Sequence, residues 1–172
     1  MRRFSVREIT LAAAIAAVYV ALTFALPFPP YMGVQFRVAE ALTVLPFLFP
    51  AAIPGLTVGC FIVNLLGSPM AIDWIVGTAA TLIAAIWTSK LKNRWLAPLP
   101  PVICNAVIVG AMIAWFYPEG MAFWPAYALN AFTVGLGELL ACYLLGSLLL
   151  AFLPRVSFFK PYMRPETQAP TL

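Results

Sequence analysis

Long uncharged stretches, separated by single charges or small groups of charges, make up almost the whole chain. The uncharged runs after the first charged residues are 9–36, 41–72, 74–89, 95–118, 120–137 and 139–154. A helix that crosses a bilayer needs about 20 mostly apolar residues, with a range of roughly 17–25. The pattern therefore predicts a series of membrane-spanning helices.

Composition excludes a soluble protein. The chain has 172 residues, of which 63% are hydrophobic and 9% charged, and its mean hydropathy is +0.96. A soluble domain has roughly 25% charged and about 45–50% apolar residues. Soluble enzymes and nucleic-acid-binding modules are therefore excluded. The net charge of +4 does not indicate nucleic acid either, because the basic residues form three short clusters rather than one stripe.

Metal and cofactor chemistry has little support in this sequence. The chain contains no histidine, which removes the usual zinc clusters and Ser–His catalysis. Cys60, Cys104 and Cys142 all lie inside apolar runs, and an odd number in such surroundings is typical of small core residues. We therefore expect no metal and no cofactor.

Charges and prolines set the predicted boundaries of one membrane domain over 1–172. Its spans are about 6–26, 37–49, 51–66, 71–89, 100–117 and 125–153. The stretch 37–66 is one long helix or two short ones broken around Pro50 and Pro54. The short span 37–49 covers only about 20 Å of a hydrocarbon core of roughly 30 Å. We expect neighbouring helices to shelter it, or irregular backbone beside it to line a cavity.

The positions of the basic residues decide whether the stretch 37–66 is one helix or two. All basic residues except Arg37 lie in three clusters, which are Arg2, Arg3 and Arg7, then Lys90, Lys92 and Arg94, then Arg155, Lys160 and Arg164. Cytoplasmic loops collect Lys and Arg, so we expect all three clusters on one side of the membrane. An even number of helices must then lie between neighbouring clusters, and this requires 37–66 to be two helices. The prediction is an all-α integral membrane bundle of six transmembrane helices. It is multi-pass in the plasma membrane, with both termini cytoplasmic.

Alanines recur at every fourth position of the first span. The row consists of Ala13, Ala17, Ala21 and Ala25, with Ala12 and Ala16 beside it. Small residues at this spacing let another helix approach closely. Spacing alone favours packing inside the protein's own bundle, and a face for a partner subunit is the alternative.

Glu138 is the most informative polar residue, because it lies in the middle of the last span. At 1.5 Å per residue, Glu138 and Asn105 are each about 18 Å below the outer ends of their helices. Neighbouring antiparallel helices then bring the carboxylate and the carboxamide to one depth. Around the last helix, Tyr127 is about 20° and Asn130 about 80° from Glu138.

This combination suits a planar, nitrogen-rich ligand. A carboxylate accepts two hydrogen bonds from an amidine-like edge, an asparagine donates and accepts, and aromatic rings stack on the faces. The alternative is that Glu138 is protonated and only joins helices.

Other polar residues lie near the outer ends of the spans. Arg37 and Glu40 are three residues apart, so on a helix they share a face and can form an ion pair, either structural or in the site. Asp73, Trp74, Asn64 and Trp124 line the mouth of the same cavity or form an interfacial belt, which is the usual place for tryptophan.

A family resemblance rests on the segment 35–65. The run QFRVAEALTVLP from Gln35 to Pro46, followed by IPGL from Ile53, Gly59-Cys60 and Asn64-Leu65, resembles the QueT family. This is the queuosine-precursor group among the substrate-binding (S) subunits of energy-coupling-factor (ECF) importers. The six spans, the alanine row and the cytoplasmic termini also resemble S subunits in general.

The resemblance implies vitamin-type uptake of a 7-deazaguanine base, a queuosine precursor. The base binds from outside in a cavity capped by the loop 27–36. The first helix then docks, through Ala12, Ala13, Ala16, Ala17 and Ala21, on a transmembrane coupling subunit driven by two cytoplasmic ATPases. The chain has no G-x-x-x-x-G-K-[ST] loop, in agreement with ATP hydrolysis in partners and with a transporter subunit rather than an enzyme.

The predicted substrate-binding set combines all these polar residues. It consists of Gln35, Arg37, Glu40, Asn64, Asp73, Trp74, Asn105, Trp124, Tyr127, Asn130 and Glu138. Two other functions stay open at this point. One is a small intramembrane enzyme with Glu138 and Asp73 as acid and base. The other is a packing or scaffold subunit in which the polar residues only set helix register.

Overall fold

The computed structural model describes residues 5–26, 36–68, 71–118 and 120–167, and in these ranges all regular structure is helical. The elements are α1 (Val6–Ala25), a 3₁₀ segment (Val38–Phe47), α2 (Ala52–Gly67), α3 (Ala71–Lys90), α4 (Leu99–Phe116) and α5 (Phe123–Arg155), followed by two short 3₁₀ helices (Ser157–Tyr162 and Pro165–Thr167). Of the described helices, α1, α3, α4 and α5 are long and apolar enough to cross a membrane. The chain is thus an all-helical, multi-pass membrane protein.

A capping box defines the start of α1. Ser5 Oγ accepts a hydrogen bond from the Glu8 amide at 3.3 Å, and the Glu8 carboxylate accepts one from the Ser5 amide at 2.8 Å. These two contacts satisfy backbone donors that the first turn of a helix leaves free. A helix that is exposed along much of its length therefore begins at a defined residue.

The short second span is a 3₁₀ helix rather than the predicted helix over 37–49. It covers Val38–Phe47, and every residue from Ala39 to Phe47 is buried, Pro46 included. At a rise of about 2.0 Å per residue, a 3₁₀ segment of this length covers about 20 Å, against about 15 Å for an α-helix. The expected shelter by neighbouring helices is therefore present, although the helix type differs from the prediction.

The hydrophobic core surrounds this 3₁₀ segment. It contains Tyr19 from α1, Leu42 and Phe47 from the segment, Leu56 from α2 and Cys142 from α5. Each of the long helices α1 and α5 therefore contributes one face to the core. The segment is the central element of the bundle.

Arg164, in the arm 156–167 that follows α5, holds the end of the 3₁₀ segment in place. Its guanidinium donates to the Phe47 carbonyl oxygen, at 2.9 Å from Nε and 2.6 Å from Nη2, and also to the Ser89 carbonyl oxygen. The last carbonyls of a helix have no intrahelical partner, and a cation at that end also complements the helix dipole. Arg164 thereby holds the ends of the 3₁₀ segment and α3 together.

The long helices α4 and α5 each contain a π-helical stretch that the hydrophobic pattern does not predict. These stretches are Asn105–Val109 and Leu140–Gly146. Asn105 opens the first, and Glu138 lies two residues before the second. π-helical turns inside α-helices occur frequently at functional sites.

Close packing of α1 on α2 depends on two glycines. A Cβ atom at Gly55 would lie 2.6 Å from the Ala12 carbonyl oxygen, and one at Gly59 would lie 3.2 Å from the Ala16 Cα. Ala12 and Ala16 therefore pack inside the bundle. This corrects their assignment to a surface for a partner.

The other alanine row of α1 faces outward. Its members Ala13, Ala17, Ala21 and Ala25 are exposed. The two interpretations of the alanine pattern thus apply to different rows. One row packs internally, and docking through the exposed row stays a prediction.

We expect Gly55→Ala to destabilise the protein by about 1–3 kcal/mol, because the added methyl group overlaps backbone that cannot move independently. Thermal unfolding in detergent measures the effect. Gly67→Ala is the matched control on the same helix, because its Cβ would meet only the Phe24 ring at 3.6 Å. Equal melting temperatures of the two variants would contradict the close contact between α1 and α2.

Candidate ligand-binding site

A cavity of about 520 Å³ opens at the end of the bundle where α2 meets α3 and α4 meets α5. We call this the cavity end. The volume lies within the range of roughly 300–1,000 Å³ that is typical of small-molecule sites. Its polar lining residues are Arg37, Glu40, Cys60, Asn64, Ser68, Asp73, Thr81, Asn105, Tyr117, Asn130, Thr133 and Glu138.

Asn105 and Glu138 form a buried polar pair in the cavity lining. Asn105 Nδ2 donates a hydrogen bond of 2.6 Å to Glu138 Oε1, and both side chains are 7% exposed. The expectation that neighbouring helices bring the two residues to one depth is therefore confirmed. Their role in ligand binding stays a prediction.

Glu40 also lies in the cavity, but its partner differs from the expected one. The Tyr19 hydroxyl donates a hydrogen bond of 2.5 Å to Glu40 Oε1. Within the described part of the chain, the buried Oε2 atom has no hydrogen-bond partner. The predicted ion pair with Arg37 is not formed, because Arg37 precedes the 3₁₀ segment in an extended conformation (φ −119°, ψ 115°). Arg37 and Glu40 therefore do not share the helix face that the prediction assumed.

Cys142 connects the two carboxylate residues. Its Sγ atom lies 3.6 Å from Glu138 Oε2 and 3.4 Å from the Glu40 carbonyl oxygen. Thr43 Oγ1 donates to the same carbonyl oxygen at 2.6 Å. The 3₁₀ segment and α5 thus present Glu40 and Glu138 to one cavity from adjoining surfaces.

One wall of the cavity consists of α2 and α3. Asn64 Nδ2 donates to the Asp73 carbonyl oxygen at 3.2 Å, and both residues line the cavity as predicted. A Cβ atom at Gly77 would lie 2.8 Å from Asn64 Nδ2 and 2.9 Å from Asp73 Oδ1. The missing side chain of Gly77 therefore allows these polar groups to meet.

The predicted aromatic residues do not line the cavity. The Tyr127 ring stacks on Phe123 at 5.9 Å, and Trp124, which is 73% exposed, contacts both rings. Trp74 Nε1 donates to the Ser68 carbonyl oxygen at 3.4 Å. A helical-wheel angle gives direction but not depth, and Tyr127 is about 16 Å from Glu138 along the helix. The position of Trp124 agrees with an interfacial belt.

The remaining predicted residues lie at the mouth or outside the described ranges. Asn130 lines the cavity, and its Nδ2 donates to the Ala126 carbonyl oxygen of the same helix at 2.8 Å. Gln35 and positions 27–35 of the expected capping loop lie outside the described residues.

Sequence reasoning missed Tyr19, which is fully buried and bonded to Glu40. A phenol in the middle of the first span was the available signal, because a buried hydroxyl usually finds a partner. Thr81 and Thr133 in the lining were missed as well. Both are uncharged polar residues in membrane helices, and that position is the signal for them in the sequence.

The charged groups of the cavity are unbalanced. Its lining contains the carboxyl groups of Glu40, Asp73 and Glu138 and the guanidinium group of Arg37. Among the described residues, no group of three His, Cys, Asp or Glu side chains is placed to hold a metal ion. The arrangement can therefore bind donor-rich, neutral or cationic organic molecules through carboxylate and amide groups.

Comparison with known proteins gives one family. No curated protein and no solved structure matches the chain. The family model described as QueT transporter matches residues 9–155, which include the 3₁₀ segment and every polar residue that we find in the cavity lining. This family indicates a membrane transporter rather than an enzyme. On that match, the chain belongs to the QueT transporter family.

Proposed function

We propose that the chain is the substrate-binding subunit of an ECF-type ABC importer and binds a queuosine precursor, a 7-deazaguanine base, from outside. The observation that carries this proposal is the buried, hydrogen-bonded Asn105–Glu138 pair in the cavity lining. A guanine-type base offers a ring N–H and an exocyclic amine side by side, and a carboxylate accepts from both. Asn105 holds the carboxylate in place and keeps its own oxygen available as an acceptor.

Docking on partners is the second part of the proposal. The exposed alanine row of α1, represented by Ala13 and Ala17, would pack on a transmembrane coupling subunit, since small residues permit close helix approach. Two cytoplasmic ATPases would supply the energy. Ala21, which the sequence also predicts to dock, belongs to the same exposed row.

Orientation follows from the basic residues. Arg7, Lys90 and Arg155 lie at the ends of their helices opposite the cavity end, and Arg94 lies in the loop between α3 and α4 at the same end. Because cytoplasmic segments collect Lys and Arg, we place this end in the cytoplasm and the cavity mouth outside. The proposal is six spans in the plasma membrane with both termini cytoplasmic, the 3₁₀ segment and α2 being the two short spans.

Titration of the purified chain against a panel of bases tests this function. We expect binding of 7-deazaguanines, and hypoxanthine-type bases should bind about fivefold to more than a hundredfold more weakly. The reason is that loss of the exocyclic amine leaves a buried acceptor unsatisfied, at about 1–3 kcal/mol. Adenine is the matched control with a different hydrogen-bonding edge.

Two outcomes would contradict the proposed function. Failure of every guanine-type base to bind would favour a packing or scaffold subunit. Chemical conversion of the base by the isolated chain would favour an intramembrane enzyme. Chromatography of the base after incubation detects the second case.

A further inference from the structure

Pro50 leaves the last carbonyl of the 3₁₀ segment without a backbone donor. In a 3₁₀ helix, the carbonyl of one residue accepts from the amide three residues later. For Phe47 that residue is Pro50, which has no amide hydrogen. Buried carbonyls are almost always hydrogen-bonded. The Arg164 guanidinium supplies the missing donors, at 2.9 Å from Nε and 2.6 Å from Nη2 to the Phe47 oxygen.

Arg164 also joins the segment to α3. Its amide donates to the Leu48 carbonyl oxygen at 2.9 Å. Its guanidinium donates to the Ser89 carbonyl oxygen near the end of α3 and to the Leu91 carbonyl oxygen at 3.5 Å. Glu166 is the acidic residue whose charge acts on this guanidinium. One side chain therefore fixes the end of the segment relative to a long helix.

The segment connects this point to the cavity. Arg37, which directly precedes the segment, and Glu40 in its first turn both line the cavity, so the guanidinium of one and the carboxyl group of the other face the same space. Phe47, at the opposite end, is held by Arg164. At about 2.0 Å per residue, the segment spans about 20 Å between the arm and the cavity.

Close packing makes the segment move as one body. All residues in Ala39–Phe47 are buried. On the side of α5, a Cβ atom at Gly146 would lie 2.8 Å from Val44 Cγ1 and 3.2 Å from the Ala41 carbonyl oxygen. Closely packed interiors transmit displacements rather than absorbing them. A shift at the arm therefore changes the position of the groups at the cavity.

We infer that Arg164 is a positioning residue for the ligand site, because it fixes the depth at which the 3₁₀ segment holds Arg37 and Glu40 in the cavity. Energetic coupling between two sites is reciprocal, so a bound ligand also strengthens the attachment of the arm. The inference rests on the proposed function for its ligand. It adds a residue on the opposite side of the bundle to the groups that determine affinity.

Arg164→Lys is the first test. Lysine keeps the charge but loses the planar guanidinium that reaches several carbonyls at once. We expect affinity for unsubstituted 7-deazaguanine to fall about three- to thirtyfold in calorimetric titration. Arg155→Lys is the matched control, since it makes the same exchange at an exposed arginine that lies over the Phe152 ring. Its affinity should stay within about twofold of the native value.

Thr88→Val separates positioning from a general loss of stability. Thr88 is fully buried at the same end of the bundle, and its hydroxyl donates to the Ala97 carbonyl oxygen at 3.3 Å, a bond that does not involve the segment. The variant should melt at a lower temperature and keep native affinity. Equal losses of affinity in Thr88→Val and Arg164→Lys would show that Arg164 is only structural.

Hydrogen exchange of the native protein tests the reciprocal effect without any variant. The Arg164 amide, bonded to the Leu48 carbonyl oxygen, reports on the attachment of the arm. Saturating 7-deazaguanine should slow its exchange about threefold or more. The Ala97 amide, bonded to the Arg94 carbonyl oxygen in the loop at the same end, is the control and should change little.

The outcomes separate this inference from the proposed function. If the native protein binds 7-deazaguanine and Arg164→Lys binds it equally well, the inference fails and the proposed function stands. An unchanged exchange rate of the Arg164 amide on ligand binding has the same meaning, and it decides the matter even if Arg164→Lys does not fold. If the native protein binds no guanine-type base, both proposals fail.

Discussion

Glu138→Gln should weaken binding of a 7-deazaguanine by roughly tenfold to more than a hundredfold, at 1.4 kcal/mol per decade. In the native chain, Glu138 Oε1 accepts from Asn105 Nδ2 at 2.6 Å. A glutamine that keeps its oxygen toward Asn105 places its amide nitrogen where the second carboxylate oxygen was. The new donor then opposes the donors of the base. Leaving such buried groups unsatisfied costs about 1–3 kcal/mol, and more for charged groups.

Calorimetric titration of the purified variant measures this loss. Hypoxanthine-type bases lack the exocyclic amine, so they should lose less on the same substitution. Asn105→Ala should also weaken binding, because it removes the group that orients the carboxylate. If Glu138→Gln binds the base as tightly as the native chain, Glu138 is structural. The site must then be redrawn around Arg37, Glu40 and Asp73.

Most of the helix positions followed from charges and prolines. The predicted span 71–89 corresponds to α3 at Ala71–Lys90, and the proposed break near Pro50 separates the 3₁₀ segment from α2. Long apolar runs bounded by charges are a strong signal, since charges are expensive in hydrocarbon. The 3₁₀ geometry was not predictable in the same way. It depends on which backbone bonds a fully buried segment makes, and a stretch as short as Val38–Phe47 does not reveal this through its hydrophobic period.

Prediction of which side chains lie together worked where it rested on the rigidity of helices. The fixed rise per residue placed Asn105 and Glu138 at one depth, and their side chains are hydrogen-bonded. It failed where a partner comes from a distant part of the chain. The partner of Glu40 is Tyr19 of α1, twenty-one positions away, and no local spacing reveals that contact. The local candidate, Arg37, lies outside the helical segment.

The aromatic residues show a second limit. Tyr127 shares its direction around α5 with Glu138, but it stacks on Phe123 instead of lining the cavity. A helical wheel shows the direction of a side chain around the axis but not its position along the axis. That position decides whether two groups can contact one small ligand. Depth and direction must agree, as they do for Asn105 and Glu138.

Ala17→Trp should abolish uptake in cells while leaving ligand binding by the isolated chain intact. Ala17 is exposed on α1, in the row with Ala13. A bulky side chain there prevents another helix from approaching closely, but it displaces nothing inside the bundle. Transport of a labelled base in cells that contain the proposed partner subunits, and titration of the purified chain, are the two measurements.

Two neighbouring positions serve as controls for this experiment. Val18→Trp also places a large side chain on the exposed surface of α1, where Val18 is 47% exposed, but about 100° away from Ala17. We expect cells with Val18→Trp to retain more uptake of the base than cells with Ala17→Trp. Ala16→Trp should instead lower both stability and binding, because Ala16 lies against Gly59 of α2, where even a Cβ atom on the glycine would lie 3.2 Å from the Ala16 Cα. If Ala17→Trp loses binding to the same degree as Ala16→Trp, the outer row also packs internally. The proposed coupling subunit must then dock on a different surface.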